Sequence, residues 1–231
     1  MSIQSRKIII KIIYNLLKNL NNKNYSKVAK IGNNINKGGK MIITETIIES
    51  LYYILQKIGE ADKIKLVKLI YLADKYHLIR YGRTITNDDY YAMEYGPVGT
   101  TLKDVLSYDL SNISEHEKKY FSELIERKDL YTFQAKKDVN ISFDMLSETD
   151  KEALDFVIEH FGNMNSWQLS EYTHQYPEWN QYKDLFENNL TRRERIEHIE
   201  LLSTIKDDPL TSGIPEDHVK ESEKILTGNF D

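Results

Sequence analysis

The 231-residue chain has no cysteine. Disulfides, thiolate metal sites and cysteine nucleophiles are therefore all excluded. Proline and glycine are also scarce, 4 and 10 residues, so the chain is neither collagen-like nor a Pro/Gly-rich linker. No apolar stretch is long enough to span a bilayer: the longest of the first forty residues, Ile8 to Ile13, is broken by Lys11. An A-x-A-like signal-peptide cleavage site is missing as well. With 40% hydrophobic and 29% charged residues, what remains is enough to bury a core. The absence of cysteine suits a reducing cytoplasm, the expected location.

Charge is unevenly divided. Residues 1–40 contain nine Lys and Arg and no acidic residue, which leaves residues 41–231 with 22 basic against 36 acidic side chains, a net of -14. The basic extension admits three readings, a membrane-surface helix, a targeting peptide or a nucleic-acid arm. A fourth is that Met41 is the native start, because Lys37-Gly38-Gly39-Lys40 can be encoded by a purine-rich ribosome-binding sequence. Gly39-Lys40 is not a P-loop, since Asn34 and Met41 stand where Gly and Ser or Thr are needed. An acidic body disfavours nucleic acid and favours a basic protein partner.

From Thr46 the chain reads as capped helices. Thr46 and Glu49 form a capping box, with Gly59 as the stop. Asp62 caps a helix to about Tyr81, closed by Gly82, whose apolar residues surround most of its circumference; it is expected to be the central helix. Asn87-Asp88-Asp89 is expected to turn a hairpin between Thr84-Ile85 and Tyr90 to Met93, and Pro97 to open the next helix. Ser114 with Glu117 caps a helix to about Lys128, Leu130 to Ala135 and Val139 to Phe143 read as strands, and helices start at Ser147, Ser166 and Thr191. The expected fold is mainly α with small β-hairpin elements (α+β), a compact helical single domain over residues 41–206. Residues 207–231, with Pro209, Gly213 and Pro215, read as a loosely attached tail.

Three stretches in order, KLIYLADKYHLIRYGR (Lys68 to Arg83), AMEYGPVGTTLKDVL (Ala92 to Leu106) and SWQLSEYTHQYPEW (Ser166 to Trp179), resemble the Panacea domain, also called the SocA-like or GepA-like antitoxin domain. The resemblance extends from about Ile42 to Leu190. The chain departs from the family pattern at Met93 and Glu94, where an aromatic and a basic residue are common, and at Glu178, which separates Pro177 from Trp179. The resemblance implies a bacterial or prophage antitoxin that neutralises a protein toxin encoded beside it, or delivers that toxin to a protease. An acidic body is compatible with masking a basic toxin.

The candidate partner-binding residues are Tyr95, Gly96, Pro97, Val98, His174 and Trp179, expected together to present an aromatic and acidic face. Each also has a purely structural reading. Gly96 and Pro97 can shape a turn with Tyr95 packed beneath it, His174 can bond a nearby carboxylate, and Trp179 can be either an exposed anchor or core. Catalysis is not expected: the six histidines include no i, i+4 pair or HExxH, and no G-x-S-x-G occurs. No metal or cofactor is implied. Autorepression through DNA is the alternative role, with Thr191 to Arg195 as the candidate surface, although interleaved glutamates also fit a solvated helix face.

Overall fold

A computed structural model describes residues 44–107 and 113–228; the basic extension and the readings placed on it lie outside the described residues. Helix α1 (Thr44–Ile58) buries Ile47, Ile48, Leu51, Tyr52, Ile54 and Leu55, and Gly59, at φ 85°, ends it. The helix begins two residues before the expected cap. Glu49 consequently lies inside it, where its carboxylate accepts from Tyr120 Oη at 2.8 Å and from the Met145 N–H at 3.0 Å.

Strand β1 (Glu60–Asp62) leads into α2 (Lys63–Tyr81), the central helix. Asp62 caps it by accepting from the Ile64 and Lys65 N–H groups, and Gly82 closes it in the left-handed region at φ 73°. Every residue from Leu66 to Ile79 is buried, including Lys68, Asp74, Lys75 and His77. A helix buried on all sides must find internal partners for its polar groups, and those partners shape the rest of the molecule.

Asp74 is the first example. It accepts from the Ile85 and Thr86 N–H groups at 2.8 and 3.0 Å and from Tyr90 Oη at 2.7 Å. Because these backbone groups are satisfied by a side chain, Thr84 and Ile85 form no strand. Asp88, expected in a hairpin turn, is instead buried, where it accepts from the Thr101 and Leu102 N–H groups and caps α3 (Thr100–Ser107). The hairpin lies further on, between β2 (Tyr90–Met93) and β3 (Gly96–Gly99), and turns at Glu94-Tyr95. Pro97 therefore sits in an edge strand rather than opening a helix, a place where a missing N–H is tolerated.

Helix α4 (Glu115–Leu124) carries the expected Ser114–Glu117 capping box but gives way to β4 (Ile125–Arg127), which pairs with β5 (Thr132–Ala135). The order of this sheet is β1-β5-β4. Val139 to Phe143 form no strand. The Val139 carbonyl accepts from Tyr52 Oη at 2.6 Å, and the Phe143 ring packs on Tyr52 and Tyr53. Helix α5 (Glu148–Phe161) starts at the Ser147 cap as expected, whereas α6 (Ser166–Thr173) is capped one residue earlier, by Asn165. Two short helices follow, α7 (Pro177–Asn180) and α8 (Lys183–Glu187).

Beyond Thr191 the expected helix is replaced by β6 (Arg193–Ile196), antiparallel to β2 in a sheet ordered β3-β2-β6, and by a 3₁₀ turn over His198–Leu202. Pairing with the free edge of β2 and burial of Ile196 outweigh the local helix signal. The residues after 206 are not loosely attached. Asp208 accepts from Tyr172 and Tyr176 at 3.0 and 3.1 Å, and Leu210 is fully buried. Helix α9 (Glu216–Thr227) docks on the end of α2, where Ser222 Oγ donates to the Ile79 carbonyl and Ile225 fills the space beside Gly82. No helix of the described residues is long and apolar enough to cross a membrane.

Candidate functional site

The three stretches that carry the sequence resemblance meet around α2. Lys68 Nζ donates to the Pro97 carbonyl at 2.9 Å, joining the first stretch to the second. Trp179 Nε1 donates to the Met93 carbonyl at 2.7 Å, joining the third to the second. Lys75 Nζ pairs with Glu178 at 2.6 Å, joining the first to the third. Their shared business is thus to fix the β2–β3 hairpin against the central helix.

Gly96 is required twice. Its φ of 101° disfavours any side chain, and a Cβ there would stand 2.5 Å from Lys68 Nζ and 2.9 Å from Thr173 Oγ1. The neighbouring Tyr95 is 58% exposed. The hairpin is therefore rigid from beneath and presents Tyr95 outward; the tyrosine does not pack under the turn. Val98 is half-buried beside it.

His174 and Trp179 lie behind this turn. Trp179 is only 4% exposed, its ring stacked on His174 at 3.6 Å between centroids and on Phe186 at 5.9 Å. It is a core residue that pins the end of β2, not a surface anchor; the exposed tryptophan is Trp167. His174 Nδ1 is 3.8 Å from the Glu171 carboxylate, too far for a hydrogen bond, and Nε2 is buried with no partner among the described residues. Burial, then the Lys68 and Lys183 charges, push its pKa down to about 4, so the ring is neutral at physiological pH.

The face beside Tyr95 is basic, contrary to the acidic one expected. A cavity of about 450 Å³ opens there, with Lys63, Lys68, Lys103 and Arg192 in its wall and Glu94 as its acidic member. The Met93-Glu94 departure therefore falls at the mouth of this cavity, and the Glu178 departure supplies the buried partner of Lys75. Sequence reasoning singled out Arg192, as a DNA candidate, but missed Lys63, Lys68 and Lys103. The one available signal for these was Lys68 itself, a lysine in a helix whose apolar residues cover most of its circumference. The arginines considered for DNA diverge: Arg192 lines the cavity, Arg193 lies over the Tyr91 ring at 5.1 Å, and Arg195 pairs with Glu197 at 2.8 Å. No cluster of acidic or histidine side chains suited to a metal occurs among the described residues.

Comparison with known proteins bears on what this arrangement is. Residues 66–180 match the family model described as antitoxin SocA-like, Panacea domain. No curated protein and no solved structure matches the chain. The matched span contains all three converging stretches, and with it the chain belongs to the SocA-like antitoxin, Panacea domain family.

Proposed function

We propose that this protein is the antitoxin of a bacterial or prophage type II system, acting in the cytoplasm. It would neutralise by direct, stoichiometric binding a protein toxin encoded by the adjacent gene, without a cofactor and without catalysis. Family membership is one support. The observation that carries the proposal is the hairpin turn, where an aromatic side chain stands 58% exposed on backbone that Lys68, Gly96 and Trp179 hold in place. A rigid exposed tyrosine loses little entropy on association and suits a partner contact. On this reading Tyr95 touches the toxin, Gly96, Pro97 and Val98 shape the contact turn, and His174 and Trp179 act from behind it as positioning residues.

The test is co-expression of the full chain with the product of the adjacent reading frame, scoring growth, copurification and toxin half-life. Rescue with a stable complex and unchanged half-life supports neutralisation, whereas rescue with a shortened half-life replaces it with delivery to a protease. Tyr95→Ala should lose rescue while keeping its helical circular-dichroism signal. Wild-type rescue by that variant would remove the turn from the interface, and a harmless neighbour that does not copurify would overturn the antitoxin reading.

A further inference from the structure

In a body whose net charge is -14 over residues 41–231, four cations share the wall of one cavity. Among the described residues none of them has a carboxylate at ion-pair distance. Lys63 donates to Ser107 Oγ and Lys68 to the Pro97 carbonyl, both neutral acceptors. Lys103 and Arg192 line the cavity, and their side chains make no hydrogen bond to any described residue. The acidic side chains nearby are Glu94 in the wall and Asp104, whose charge acts on Lys63. Like charges gathered in this way repel one another; Lys103 and Arg127 disfavour the charged form of Lys63, adding to the larger effect of burial. Elsewhere in the described residues Lys57, Lys75, Lys128 and Arg195 are each paired with a carboxylate.

The rest of the wall is apolar and aromatic, contributed by Ile64, Val67, Val98, Tyr95 and Phe186. A volume of about 450 Å³ lies within the ordinary range for small-molecule pockets, and a mostly apolar wall with a few convergent polar groups is their usual composition. Lys68 occupies the position of an anchoring group: it is 1% exposed and has a single hydrogen-bond acceptor for three donors. Lys63, Lys103 and Arg192, joined by Lys68 where it is protonated, outnumber the one wall carboxylate and match a multiply charged head group better than a single carboxylate.

We infer that this cavity is a binding site for a phosphorylated small molecule of about nucleoside monophosphate size, its phosphate held by Lys68, Lys103, Arg192 and Lys63 and its body lying against Tyr95, Val98 and Phe186. The site belongs to the chain alone and does not depend on the antitoxin reading, although the ligand would sit beside the proposed contact turn.

The test is isothermal titration of the full chain, without any partner, using adenosine monophosphate, inorganic phosphate and a hexaglutamate peptide at constant ionic strength. Saturable binding of the nucleotide below about 1 mM is expected, weakened about tenfold in the Lys103→Ala/Arg192→Ala double variant, in which two charged contacts are lost. Phosphate alone should bind more weakly. Equal affinity for phosphate and nucleotide would remove the organic body from the proposal. No saturable nucleotide binding up to about 10 mM, or binding that the double variant leaves unchanged, would overturn it. Tighter binding of the peptide would reassign the cavity to an acidic protein segment. Arg192 is exposed and Lys103 half-buried, so the double variant should keep its fold, and a wild-type circular-dichroism spectrum checks this.

Discussion

Two lysines on the central helix, seven residues and so about two turns apart, face the same way into the protein and meet opposite circumstances. Lys75 is saturated. Its ammonium donates to Glu178 and to the carbonyls of Leu201 and Ser203 at 2.6 to 2.8 Å and lies 4.3 Å above the Tyr176 ring. Lys68 has the Pro97 carbonyl and nothing more among the described residues. Both are fully desolvated, which lowers both pKa values, but at Lys75 the Glu178 charge opposes the effect, whereas at Lys68 nothing does and the value falls to about 7. The difference separates two uses of a buried cation. One closes the fold by joining α2 to α7 and the 3₁₀ turn at His198–Leu202, and the other is left open toward a cavity.

The largest expected effect comes from breaking the saturated end. Lys75→Met leaves the buried Glu178 carboxylate with Tyr71 Oη but no counter-charge and removes the donor to the Leu201 and Ser203 carbonyls, and removing one partner of a buried pair typically costs about 3–5 kcal/mol. Urea unfolding should register that loss as a lower midpoint. The double variant Lys75→Met/Glu178→Gln should recover a large part of it, because the uncompensated charge is then gone. Equal destabilisation in the single and double variants would mean that the ion pair is not what closes this end.

The open end should respond to pH instead. The folded pKa of Lys68, about 7, lies below its unfolded value of 10.5, so between these limits the unfolded chain binds more protons and stability rises with pH. This contribution opposes folding fully below pH 7 and fades as pH approaches the unfolded value. Each pH unit inside the window is worth at most about 1.4 kcal/mol, so from pH 7 to 9 the wild type should gain roughly 2–3 kcal/mol relative to Lys68→Met. All other titrating groups are common to the two proteins and cancel in the difference. Parallel stability curves for the two proteins would show that Lys68 remains charged in the folded state.

How far these features could be read from the sequence depends on the range of the interaction that fixes them. Asp62, Gly82, Ser114 with Glu117, and Ser147 act within a few residues of themselves, and each helix boundary they announce is found. The apolar residues that cover most of the circumference of α2 likewise announce a helix buried on several sides. The failures lie where a distant group claims the backbone: Asp74 takes the N–H groups expected in a strand at Ile85, β2 recruits Arg193–Ile196 into a sheet, and Tyr52 holds Val139. The candidate site divides in the same way. The Tyr95 to Val98 turn is visible as glycine and proline chemistry, but that Tyr95 faces outward and Trp179 inward depends on α2 and α7 packing together, and no local pattern announces that Arg192 joins Lys63, Lys68 and Lys103 in one cavity wall.

The smallest of the three effects tests how closely the open end is fitted, and glycine supplies the probe. Gly59 and Gly96 both have positive φ, 85° and 101°, but a Cβ on Gly59 would meet nothing within 4 Å while one on Gly96 would meet Lys68 and Thr173. Gly59→Ala should therefore cost only the backbone penalty of a left-handed alanine, about 1 kcal/mol. Gly96→Ala should cost about 1 kcal/mol more, since the long lysine side chain can give way but must strain its bond to the Pro97 carbonyl in doing so. Repeating Gly96→Ala in a Lys68→Ala background isolates that excess: most of it should vanish, giving a coupling of about 0.5–1 kcal/mol in a double-mutant cycle of chemical unfolding. A coupling near zero would place the strain on Thr173 and α6 instead. The hairpin would then be seated by the third stretch, and Lys68 would be free to move toward whatever enters the cavity.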